Sequence, residues 1–190
     1  MSAREILGQQ LAEHHDAKSG EPFFYGTYDA SLDCGVELTS QPATLNYHRS
    51  KARWDFWLAD LRRKGWKSHD TTTCGLHIHL NKGTEAASWG NDAHRQSKTI
   101  GEALTAKIAY FVHSQDELLQ KLGRRPSVNY ARYDKSKKLS KRLVSDCRET
   151  GEAISIRGRT LEFRFPKGTL KTETFYATLE LIEAITLFCG

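Results

Sequence analysis

Apolar residues recur along this chain with two different periods, and each period marks a kind of element. Trp54, Trp57, Leu58 and Leu61 fall at i, i+3, i+4 and i+7 with Lys and Arg on the opposite side, which predicts an amphipathic helix over 49–63 stopped by Gly65. Leu104, Ile108, Phe111, Leu118 and Leu122 form a second stripe, predicting one long helix over 100–122 that Gly123-Arg124-Arg125-Pro126 breaks. Thr172 is placed to cap a last helix carrying Phe175, Leu179, Ile182 and Leu187. A weaker helical face, Ile6, Leu7 and Leu11, follows the capping-box pair Ser2 and Glu5 and ends near Lys18. Strand character appears at 22–28, 35–39, 72–81 and 159–165, with a turn over 29–33 and a polar loop over 85–98. These elements predict an α+β fold, an antiparallel sheet with helices packed on one face, in a single domain over 1–190.

Alternation within the strands separates chemistry from core. Leu76, Ile78 and Leu80 point one way, and His77 and His79 point the other. In the last strand Leu161, Phe163 and Phe165 are apolar, and Glu162 and Arg164 take the opposite face; Val36 and Leu38 flank Glu37 in the same manner. A wet sheet face is polar for solvation alone, which is the ordinary reading of Glu37 by itself. His-x-His is less ordinary, because His is not a favoured strand residue and Gly75 before it permits close approach. Together these side chains would converge on a divalent cation and an anion. Carboxylates suit Mg²⁺ or Mn²⁺, an imidazole is better tolerated by Mn²⁺, and Arg164 offers a planar fork to phosphate.

Composition narrows the setting without selecting a partner. Of 190 residues, 38% are hydrophobic and 27% charged, which is enough apolar surface for a core. No window approaches a membrane span and the first residues lack the apolar stretch of a signal peptide, so the chain reads as cytoplasmic. Cys34, Cys74, Cys147 and Cys189 show no CxxC spacing and read as reduced thiols. A net charge of +5 favours anions of every kind.

Four ordered blocks resemble a known family. Asp29-Ala30-Ser31-Leu32 is followed by Gly35-Val36-Glu37-Leu38-Thr39-Ser40-Gln41-Pro42. Cys74-Gly75-Leu76-His77-Ile78-His79-Leu80 comes next, then Leu161-Glu162-Phe163-Arg164-Phe165 with Gly168-Thr169-Leu170. Over roughly residues 25–185 their order and spacing are similar to those of the amidoligases, of the glutamine synthetase-like carboxylate-amine ligase superfamily. The resemblance implies a glutamine synthetase-like catalytic domain that uses ATP and Mg²⁺ or Mn²⁺ to join a carboxylate to an amine. It implies Glu37, His77 and Glu162 as metal ligands and His79 beside the nucleotide phosphates or substrate. Arg164 would stabilise the transferring phosphoryl group, and Arg132, in Tyr130-Ala131-Arg132-Tyr133, would be a further phosphate or carboxylate contact. Such chemistry is mainly positioning and charge neutralisation.

Members of the family open on a strand with a Gly-x-Glu-x-Glu motif, and no Glu-x-Glu precedes Asp29 here. Two expectations follow, a piece of a longer ligase or a ligase whose metal site is incomplete and inactive. A nucleic-acid or general anion-binding module is the alternative, resting on the basic run 135–148 with Lys135, Lys137, Lys138, Lys141, Arg142 and Arg148. That run has no aromatic residue after Tyr133 to stack bases, so a solvated helix face is its plainer meaning. A barrel amidohydrolase also uses His-x-His on a strand, but its fold takes about 250 residues.

Overall fold

The computed structural model describes residues 23–27, 35–68, 71, 73–82, 101–127, 130–138, 151–157 and 159–190. The N-terminal helix, the 29–33 turn, the 85–98 loop and the basic residues 139–148 expected from sequence lie outside them. The chain divides into two compact units, Met1–Ala52 and Arg53–Gly190.

In the first unit β1 (Phe24–Thr27) pairs antiparallel with β2 (Glu37–Ser40), Gly26 opposite Leu38 and Thr27 opposite Glu37. Phe23, just before β1, packs its ring on Tyr47 and His48 of α1 (Leu45–Ser50), with centroids 5.1 and 5.9 Å apart. Thr44 caps α1 by accepting the Tyr47 N–H at 3.2 Å.

The second unit opens with α2 (Trp54–Arg63). The helix expected over 49–63 is therefore two, because Arg53 adopts the left-handed conformation (φ 50°, ψ 39°) and interrupts the run. The C-terminal stop is met: Gly65 has φ 84°, Trp66 N–H reaches the Leu61 carbonyl and Gly65 N–H the Arg62 carbonyl, which is a Schellman motif.

Three strands follow in the order β3 (Ile78–Asn81), β5 (Thr160–Phe163), β4 (Ile154–Arg157), all antiparallel. Strand β4 is absent from the sequence expectation, although Ile-Ser-Ile alternates as Leu-Glu-Phe does and only two residues separate the pair Arg157 and Thr160. The helices are α3 (Glu102–Ser114), α4 (Asp116–Gly123) and α5 (Thr172–Cys189). Ile108, Val112, Leu119, Ile182 and Ile185 from these helices join Ile154, Ile156, Leu161, Phe163 and Phe165 in one core, with Ile78 and Leu80 packed against it. This is a small α+β arrangement with helices on the apolar sheet face.

Three expectations fail here for local reasons. The stripe assigned to one helix over 100–122 is broken at Gln115 (φ −107°, ψ 36°). The break rephases α4, so Leu119 is buried while Leu118 and Leu122 are 47% and 49% exposed. Thr172 is the first helical residue of α5 and Lys171 its N-cap, with no side-chain cap bond. Finally, Trp54, Trp57, Leu58 and Leu61, the strongest apolar stripe in the sequence and so expected to cover the sheet face of Val36, Ile78 and Phe163, are buried but lie outside the core cluster that holds Ile78 and Phe163. Trp54 packs on Phe175 of α5, centroids 4.4 Å apart, because α3, α4 and α5 already fill the sheet face.

Candidate functional site

The pairing of β3 with β5 sets His79 directly opposite Glu162, and β4 sets Ser155 opposite Glu162 from the other side. Since Ile78, Leu80, Leu161, Phe163, Ile154 and Ile156 take the core face, the alternation sends His79, Glu162 and Ser155 to the other face together. Glu162 is nonetheless buried. Its Oε1 gathers three basic side chains: Arg164 Nη1 at 2.7 Å, His77 Nδ1 at 3.3 Å and His79 Nε2 at 3.8 Å. Ser155 Oγ stands 3.5 Å from Oε2. The cluster is oriented from outside as well, His79 Nδ1 lying 3.1 Å from Thr160 Oγ1 and Arg164 Nε donating to the Tyr130 carbonyl at 3.4 Å.

A β-bulge lies just past Phe163, beside the carboxylate that His77 and Arg164 share. Ile78 pairs with Phe163, but Gly75 pairs with Lys167, so the β5 side carries one more residue than the β3 side between the two pairs. Arg164 N–H and Phe165 N–H both donate to the Ala153 carbonyl, at 2.8 and 3.2 Å, the signature of that extra residue. Through it Phe165 stays in the core and Arg164 turns to Glu162, as strand alternation sets them.

Gly75 and Arg125 complete the setting. A Cβ on Gly75 would lie 2.5 Å from Arg125 Nη1 and 3.0 Å from His77 Nε2, so the absent side chain is what admits both groups. Arg125 itself is buried, donating to the Arg164 carbonyl at 2.8 Å and to the Thr73 carbonyl at 3.4 Å. Burial, with the neighbouring Arg164 charge, lowers its pKa from the ordinary value. For His77, burial first and the Arg164 charge second outweigh the attraction of Glu162, and Arg125 and His79 add to the effect; its pKa is lowered to about 4. His77 is therefore a neutral imidazole at pH 7.

The sequence-predicted residues divide accordingly. His77, His79, Glu162 and Arg164 come together. Glu37 lies in the other compact unit, on a strand whose partner among the described residues is β1, and its carboxylate accepts the Thr27 hydroxyl at 3.4 Å. The expectation of one sheet joining all three strands is not met, because β2 finds its antiparallel partner nearby in sequence at lower closure cost. Arg132 is exposed, and its backbone pairs with the Gly151–Ala153 segment. Arg125, Ser155 and the Tyr130 carbonyl were not anticipated. The signal for Ser155 was the alternation of β4; Arg125 gave none, being masked by the helix-breaking sequence around it.

As a cation site the cluster is partial. His77 Nδ1 and Glu162 Oε1 are separated by 3.3 Å, close to the roughly 3 Å between adjacent corners of an octahedral shell with oxygen ligands near 2.1 Å. Among the described residues no group of three or more His, Cys, Asp or Glu is arranged to hold a metal ion. The pair fits as two ligands of a cation whose shell is finished by other groups.

A second polar cluster lies on the helix side. The Glu152 carboxylate receives Lys137 Nζ at 2.9 and 3.1 Å and faces His113 Nε2 at 3.5 Å, with all three side chains largely buried. Asp134 N–H donates to His113 Nδ1 at 3.1 Å, leaving the imidazole proton on Nε2 toward Glu152. Burial alone pushes the Glu152 carboxyl up, but the bonds from His113 and Lys137 outweigh it and leave the pKa below the ordinary value.

Comparison with protein-family models, curated proteins and solved structures returns no match to this chain. Among the described residues no helix is long and apolar enough to cross a membrane.

Proposed function

We propose that this chain carries the catalytic face of an ATP- and divalent-metal-dependent carboxylate-amine ligase of the glutamine synthetase-like kind. The observation that carries the reading is the gathering of His77, His79 and Arg164 on the single oxygen Glu162 Oε1, opposite an apolar core. The ordered sequence blocks that hold these residues support it independently. In the reaction a substrate carboxylate oxygen attacks the γ-phosphorus of ATP and ADP leaves; an amine then attacks the acyl carbon, phosphate leaves and the amine gives up a proton. His77 and Glu162 are the residues that would hold Mg²⁺ or Mn²⁺. The cation would neutralise phosphate charge. Arg164 is kept in place by Glu162 and the Tyr130 carbonyl, so its fork is fixed before a phosphoryl group arrives. His79, nearly half exposed, is placed to meet nucleotide phosphate or substrate.

The basic-run alternative has weaker support. Lys135 pairs with Asp116 at 3.0 Å and Lys137 with Glu152 at 2.9 Å, so both cations already have internal partners. Thermal unfolding of the full chain tests the ligase reading. Mn²⁺ alone and ATP alone should each shift Tm little, and together they should raise it by several degrees. Glu162→Gln should abolish the joint shift and Arg164→Lys should weaken it, since Lys lacks the planar fork. An unchanged joint shift in Glu162→Gln would overturn the reading.

A further inference from the structure

We infer that Arg125, whose Nη1 fills the place where Gly75 lacks a side chain, and Lys167, the strand partner of Gly75, form an oxyanion-binding subsite for a phosphoryl or carboxylate group. The inference goes beyond the ligase reading and does not need it. Leu76 N–H donates to the Pro166 carbonyl and Gly168 N–H to the Cys74 carbonyl, which makes Gly75 and Lys167 a non-hydrogen-bonded antiparallel pair. In such a pair the backbones are closest and the two side-chain positions share a face. The Lys167 side chain thus departs on the face where Gly75 has none. Arg125 Nη1 stands 2.5 Å from that same vacant position, and Gly75 is exposed.

The charge there is not internally balanced. Arg125 is only 3% exposed and is held by two main-chain carbonyls, and neither it nor the partly buried Lys167 has a carboxylate in ion-pair contact among the described residues. The carboxylate in the neighbouring cluster, Glu162, already faces Arg164 at 2.7 Å. A buried guanidinium without an acid is costly. An anion approaching exposed Gly75 would meet an Arg125 N–H edge fixed in advance, on the face where the Lys167 side chain departs.

The test is an amide NMR titration of the full chain at constant pH and ionic strength, using sodium phosphate and sodium acetate with sodium chloride as the reference salt. Saturable shifts at Gly75, Leu76 and Gly168 with phosphate or acetate, and none with chloride, are expected. Saturation by phosphate alone or by acetate alone supports the subsite equally and identifies the group it takes. Gly75→Ala should weaken the affinity roughly tenfold or more, because its Cβ displaces Arg125 Nη1, and Lys167→Gln several-fold. Should Gly75→Ala fail to fold, Lys167→Gln, altered on a partly buried side chain outside the core, decides the matter. Glu162→Gln should leave anion affinity unchanged or raised while abolishing the joint metal and nucleotide effect, so the two readings can fail separately. No saturable shift with either anion, or a folded variant that titrates as the unaltered chain does, overturns the inference.

Discussion

His77 shows how one position can be read for both chemistry and stability. Its pKa is lowered to about 4 in the folded chain, against 6.5 for an ordinary histidine. Between those values the unfolded chain binds a proton that the folded chain does not, so stability rises with pH through this window and falls as pH drops from 6.5 toward 4. Urea unfolding from pH 7 to 4.5 should show this loss, up to about 3 kcal/mol, and His77→Asn should lose less over the same range. Equal pH slopes for the two proteins would show that His77 is not the group responsible. Glu152 sits in a different balance. Glu152→Gln leaves the Lys137 ammonium without its buried partner and should destabilise by roughly 3–5 kcal/mol, read from the same unfolding curves.

Among the elements, burial follows the breaks in the chain as much as its periodicity. Leu119→Ala should cost about 2–5 kcal/mol, whereas Leu118→Ala, one residue away and exposed, should cost less than about 1 kcal/mol. Similar losses for both would mean that α3 and α4 run on as one helix. The stripe Trp54, Trp57, Leu58 and Leu61, the Gly65 stop and the opposition of Glu162 to its apolar neighbours were legible before the fold was known, because each depends on neighbours close in sequence, whereas Leu118, Leu122 and Leu187, also assigned to stripes, are exposed. Strand β4 was legible in principle, from Ile154, Ser155 and Ile156 two residues before the next alternating run. Three features were not. The kink at Gln115 lies in a stretch of good helix formers, the bulge at Arg164 is visible only once β3 and β4 are each paired with β5, and Arg125 acquires its role from Thr73, Gly75 and Arg164, far away along the chain.

The two sheets differ in what supports them. Strand β5 is central in a three-stranded sheet and contributes Leu161 and Phe163 to the core, whereas β1 and β2 form a pair with no third strand among the described residues. Two-stranded pairs are marginal by themselves. Native-state hydrogen exchange should therefore protect the hydrogen-bonded amides of β5 longest and release those of β1 and β2 by lower-energy openings, by about tenfold or more in rate. Equal protection would show that the first unit opens only with the second.

The bulge at Arg164 and Phe165 sets a rule of length for this part of the chain. Upstream of it the strands count in one phase and downstream in another, so Glu162 and Lys167 owe their facing to the number of residues between them. Side-chain replacement there changes one contact at a time. Removing a single residue between Phe163 and Lys167 would instead restore even pairing and turn every later side chain to the opposite surface. In a library of natural or designed relatives, this stretch should tolerate altered letters and reject altered spacing.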